Sequence, residues 1–174
     1  MSINFAKTPT TGPVEGTLSY VPSDHAFRYE PAQGVREYSS IQINSLQLAV
    51  DERGVLLYAY GYCPIIRYQE TDILPPKGDR TASFVARMEK EFIPGIAVRL
   101  GGPTSWPVWV NRRSGWLCLG EPSADEALTA VEFATGLIVV ARGSQLVSVW
   151  LRPLALPSDL VGCEGEDERG RRQR

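Results

Sequence analysis

A chain of 174 residues, 43% hydrophobic and 22% charged, is long enough to bury a core of its own, so neither disulfide nor metal is needed to hold it together. Its formal charge of −2 excludes the broad basic footprint of a nucleic-acid-binding domain. Three cysteines without CxxC spacing and a single histidine exclude a four-ligand zinc site and fit a reducing compartment.

The chain opens on Met1-Ser2-Ile3-Asn4-Phe5-Ala6-Lys7, which lacks the charged and apolar regions of a secretory signal. No apolar run approaches the roughly 18 residues that span a bilayer. The expectation is a cytoplasmic protein without membrane contact. Residues 1–16, with the breaker cluster Thr8-Pro9-Thr10-Thr11-Gly12-Pro13, are expected to form a flexible lead. Residues 17–160 read as a single β-rich domain. Segments 17–21 and 27–30 are short extended pieces separated by Pro22-Ser23-Asp24. Apolar alternation in Ile41-Gln42-Ile43 resumes out of phase after Asn44-Ser45, as Leu46-Gln47-Leu48, and a β-bulge would produce such a slip. Asp51-Glu52-Arg53-Gly54 predicts a hairpin turn, with residues 55–62 as the returning strand.

Farther along, residues 81–91 have spacings that allow one or two amphipathic helical turns. Residues 107–110 and 116–120 predict a second hairpin around Asn111-Arg112-Arg113-Ser114-Gly115. Its turn overlays on the first with one residue inserted, which hairpin chemistry explains without a duplication. Ser123, with Glu126 three residues on, starts like a capped single helical turn. Segments 129–133, 137–141 and 145–151, at hairpin spacing, predict an antiparallel meander. Residues 161–174, four acids followed by four arginines, predict a disordered charged tail. The fold class expected is mainly β: an antiparallel sandwich or partly open barrel of about ten short strands, with one or two short helical turns.

Two clusters stand out as candidate binding sites. In Tyr58-Ala59-Tyr60-Gly61-Tyr62, period-two geometry puts three tyrosines on one strand face, a rigid aromatic surface with polar tips. A half-buried sheet face is the plainer reading of the same pattern. Arg112 and Arg113 at a hairpin tip flanked by Trp109 and Trp116 combine residue types enriched in binding hot spots, although a solvated tip gives the same sequence. Trp150 reads as core.

Catalytic signals are weak. Cys63 would need a base such as His25 within reach to form a thiolate. Cys118, in an apolar alternating run, reads as a buried inert thiol. Glu89, Glu91, Asp125, Glu126 and Glu132 supply carboxylates without a defined cleft. Gly101-Gly102-Pro103 lacks the Lys-Ser/Thr of a phosphate loop, and no GxSxG elbow is present. No catalytic residue, metal or cofactor is assigned. The expected function is a non-catalytic protein-binding module with another protein as partner, of the immunity or antitoxin-inhibitor type. The alternative is a small-molecule-binding β-barrel such as an isomerase or cyclase, with the three tyrosines facing a cavity.

Overall fold

The computed structural model describes residues 2–103 and 105–160, so the charged tail expected over residues 161–174 lies outside the described residues. The first strand, β1 (Asn4–Pro9), lies where the sequence reading expects a flexible lead. Ile3 and Phe5 are buried, and their side chains anchor the segment in the core. The next two strands, β2 (Gly16–Val21) and β3 (Ala26–Pro31), are antiparallel neighbours joined by a 3-10 turn at Pro22–Asp24. Then β4 (Ser39–Ile43) and β5 (Leu46–Val50) pair with Ile43 opposite Leu46. The phase slip at Asn44-Ser45 is therefore a two-residue turn and not a bulge. Asn44 adopts φ 53, a left-handed conformation that asparagine tolerates. Its side chain clamps the Trp106 backbone: Nδ2 donates to the carbonyl at 2.9 Å, and Oδ1 accepts from the N–H at 2.8 Å.

The predicted turn after β5 forms as expected. Asp51 Oδ1 accepts from the backbone N–H groups of Arg53 and Val55, both at 2.9 Å. Gly54 closes it at φ 82, where a Cβ would meet the Ala86 carbonyl. The strand that returns is β6 (Leu56–Tyr62). A two-residue strand, β7 (Gln69–Glu70), follows, and then β8 (Ala82–Arg87) replaces the predicted helical turns. Phe84 and Ala86 are buried there because β8 pairs with β1 along its length, Phe5 standing opposite Ala86. Remote pairing overrides the helical spacing.

The remaining strands are β9 (Val98–Arg99), β10 (Val108–Asn111), β11 (Trp116–Gly120), β12 (Thr129–Ala134), β13 (Leu137–Arg142) and β14 (Gln145–Leu151). The β10–β11 hairpin and the β12–β13–β14 meander match the sequence expectation. Residues 123–128 hold side-chain turns instead of a helical one: Ser123 Oγ accepts from Asp125 N–H, and Asp125 Oδ1 from Ala127 N–H.

Three sheets result, and they do not close into a barrel. One six-stranded sheet runs β2-β3-β6-β5-β4-β9, the other β12-β13-β14-β11-β10-β7, and β1-β8 makes a third. The two short strands are exchanged. The chain leaves β6 of the first sheet and lays β7 parallel to β10 of the second; it then lays β9 parallel to β4 of the first before entering β10. The β1–β8 ribbon bridges the large sheets, through Val85 beside Val55 and a bond from Phe5 N–H to the Ser144 carbonyl. All three sheets contribute to one buried core that includes Phe5, Phe27, Leu48, Phe84, Phe133 and Val149. A smaller cluster on the second sheet contains Cys118, Ile138, Val140 and Trp150, flanked by Trp109 and Trp116. Trp150 is fully buried, as expected of a core residue.

Candidate functional site

The sheet register explains how the tyrosines are displayed. Tyr58 stands opposite Ala49 and Tyr60 opposite Gln47, so these four side chains share one face, while Leu48 and Ala59 point into the core. Glu37 sits between the two phenols. Tyr58 donates to Glu37 Oε2 at 3.0 Å and Tyr60 to Oε1 at 2.6 Å. Gln47 Oε1 lies 3.3 Å from the Tyr60 hydroxyl and accepts from Ser40 Oγ at 2.6 Å. The Tyr58 ring stacks on Tyr29 with centroids 5.3 Å apart. Burial pushes the Tyr58 hydroxyl up to about 12, and the hydrogen bond and charge of Glu37 add to that shift; Tyr60 is raised for the same reasons. Both phenols therefore stay protonated as donors.

Tyr62 does not join them. Gly61 adopts φ 109, and beyond it the half-exposed Tyr62 ring stands edge-on to His25 at 6.4 Å. The expected three-tyrosine face is a two-tyrosine face held by a glutamate that the sequence reading did not single out. Glu37 lies in an irregular segment with no period to mark it.

The four residues of the arginine–tryptophan hairpin do not form one patch. Trp109 and Trp116 lie on one sheet face against the smaller cluster, and Trp109 Nε1 donates to the Gly120 carbonyl at 3.0 Å. Arg112 turns toward the sheet edge, where Nη2 donates to the Tyr68 hydroxyl at 2.7 Å and pairs with Glu70 at 2.8 Å. Arg113 is exposed. The segment carrying β7 is tied to β10 by Thr71 N–H donating to the Val110 carbonyl and Asn111 Nδ2 donating to the Ile73 carbonyl. That tie places exposed aliphatic side chains of the same segment, Ile73 and Leu74, along the arginine edge; Ile66 precedes them and is 68% exposed. The sequence reading missed these three, because an aliphatic residue in an irregular segment carries no sign of exposure.

Cys63 and His25 are neighbours through the backbone, Cys63 N–H donating to the His25 carbonyl at 2.8 Å. The Cys63 thiol is nevertheless buried, and burial raises it to about 12, which leaves it un-ionised and inert. Cys118 is buried and raised as well. Glu132 is occupied by Arg80 at 2.7 Å, while Glu89, Glu91, Asp125 and Glu126 are exposed. Among the described residues no group of three His, Cys, Asp or Glu is placed to hold a metal ion.

Two grooves lie among the described residues and bear on these candidates. One, of about 430 Å³, is lined by Trp106, Trp109, Pro107, Pro122 and Leu146. The other, of about 550 Å³, lies where β2 meets the second sheet. Tyr58, Tyr60 and Tyr62 line neither. No helix among the described residues is long and apolar enough to cross a membrane. Comparison with protein-family models and with curated protein sequences finds no match.

Proposed function

We propose that this chain is a non-catalytic protein-binding module that masks or inhibits a partner protein, in the manner of an immunity or antitoxin-type inhibitor. The observation that carries the reading is the edge formed by β7 and the β10–β11 hairpin. Ile66, Ile73 and Leu74 are 68%, 37% and 56% exposed there, in the same segment as Arg67 and Lys77 and beside Arg112 and Arg113. Among the described residues Arg67, Lys77 and Arg113 have no carboxylate partner, whereas Arg112 is held by Glu70. Asp72 is exposed in the same segment, so the cations Arg67, Lys77, Arg112 and Arg113 exceed the carboxylates Glu70 and Asp72. Exposed aliphatic groups beside that excess complement a partner surface that is acidic and carries an apolar recess. The half-buried Tyr58–Tyr60 face, whose hydroxyls are held by Glu37, supplies a second rigid contact area. Thiols and phenols with raised pKa favour binding over chemistry. The free, buried Cys63 and Cys118 suit a reducing cytoplasm.

Isolation of tagged protein from its native lysate tests the reading when wild type is compared with the variants Leu74→Asp and Arg113→Glu. Both positions are exposed, so both variants should keep the wild-type melting temperature. The expected result is a stoichiometric acidic protein retained by wild type and lost from both variants, its retention falling as salt is raised. Equal retention by the variants, or no stoichiometric protein at all, overturns the proposal.

A further inference from the structure

The groove of about 550 Å³ has no part in the edge described above. One wall is β2, the outer strand of the first sheet, through Thr17 and Leu18; the floor is Trp116 and Ile138 of the second sheet. Leu154 forms the rim, its N–H donating to the Leu18 carbonyl at 3.0 Å while its side chain stays 81% exposed. Such an opening between two sheets is of the size that encloses a small ligand.

Its charged groups are unequal. Glu132 lines the groove and is held by Arg80 at 2.7 Å; Arg80 also lies 4.0 Å from Glu15, which is not part of the lining. Arg152 lines it too and has no carboxylate partner among the described residues. Its guanidinium lies over the Trp116 ring, 5.9 Å from the centroid. Stacking of that kind restricts the side chain while leaving its planar donors free for a carboxylate. Arg152 is anchored close by, since its backbone N–H donates to the Gly136 carbonyl at 2.8 Å.

We propose that this groove binds a small apolar monocarboxylate, with the carboxylate on Arg152 and the apolar body over Ile138 and under Leu154. An exposed leucine on the rim and a stacked arginine without a carboxylate partner among the described residues then have one common explanation. The ligand is distinct from the protein partner proposed above, and neither reading depends on the other.

Phenylacetate and hexanoate are suitable probes, with phenylacetamide as the neutral control, and binding is followed by amide chemical shifts in titrations of the full chain. Both carboxylates should shift Thr17, Ile138, Arg152 and Leu154, and phenylacetamide should bind at least about tenfold more weakly. Arg152→Gln should weaken phenylacetate by about tenfold or more. Leu154→Asp, which changes an exposed side chain and keeps the backbone bond to Leu18, should weaken both carboxylates. Absence of groove shifts with either carboxylate overturns the proposal, as does equal binding of the amide or equal binding by Arg152→Gln.

Discussion

A carboxylate between two phenols makes Glu37 the most informative single residue of the candidate surface. It accepts from both Tyr58 and Tyr60, and its charge adds to burial in opposing their ionisation. The folded Tyr58 pKa of about 12 exceeds the ordinary value of about 10 expected in the unfolded chain. The sign follows from linkage: stability from this group is whole below about pH 10 and is lost as pH rises through about 12, because the unfolded chain releases the proton first. Urea unfolding at stepped pH should show that alkaline loss. Glu37→Gln keeps an acceptor and removes the charge, so tyrosinate absorbance in the folded protein should rise at lower pH than in wild type. An unmoved absorbance curve would mean that Glu37 does not control these phenols.

Among the elements, β1 carries the clearest test of the architecture. Its composition, rich in threonine and proline at the far end, reads as a lead, yet Phe5 is 3% exposed and meets Phe84 edge-on at 6.5 Å. Lys7 pairs with Asp79 at 2.6 Å, and that charge with the Thr81 hydrogen bonds holds the Asp79 carboxyl below the usual range. Phe5→Ala removes a buried ring whose partners are fixed by three sheets, and a loss of about 3–5 kcal/mol is expected in denaturant unfolding. A loss under about 0.5 kcal/mol, typical of an exposed position, would return the segment to the status of a lead. Three of the four edges of the large sheets are managed at the same scale. The outer side of β12 is covered by Val14 and Asp79, and β7 and β9 are only two residues long. Short or covered edges discourage pairing with further copies of the chain.

For the whole molecule, the exchanged short strands decide how it unfolds. The crossed connections through β7 and β9 tie the two large sheets together, and losing either sheet would expose the core they share. Two sheets joined in this way should melt as one unit. Far-ultraviolet circular dichroism and tryptophan fluorescence should therefore give coincident denaturation curves. The fluorescence reports mainly the second sheet, through Trp109, Trp116 and Trp150, so two separated midpoints would show that the sheets are independent. The same arrangement leaves the β7 edge and the β2 crevice on different strands, which lets a protein and a small carboxylate be tested separately.

Much of the fold was legible because turns and alternation are local. Asp51 to Gly54, Asn111 to Gly115 and the meander of β12 to β14 each announce their geometry within a few residues, and in the first two hydrogen bonding of side chain to adjacent backbone enforces it. What lay outside a local reading was decided by partners remote in sequence. Residues 82–87 are a strand because β1 lies beside them, and Asn44 takes a turn because it grips Trp106. The candidate surfaces divide in the same way. Tyr58 and Tyr60 could be put on one face by a period of two, but their glutamate, the exposure of Ile66, Ile73 and Leu74, and the pairing of Arg152 with Trp116 depend on segments brought together only by folding. Composition and local turn chemistry thus determined an antiparallel β protein with hairpins in known places. The sheet partners, the crossed connections and every surface that could bind a ligand were decided by the tertiary structure, because exposure and charge pairing are properties of assembled neighbours and not of spacing along the chain.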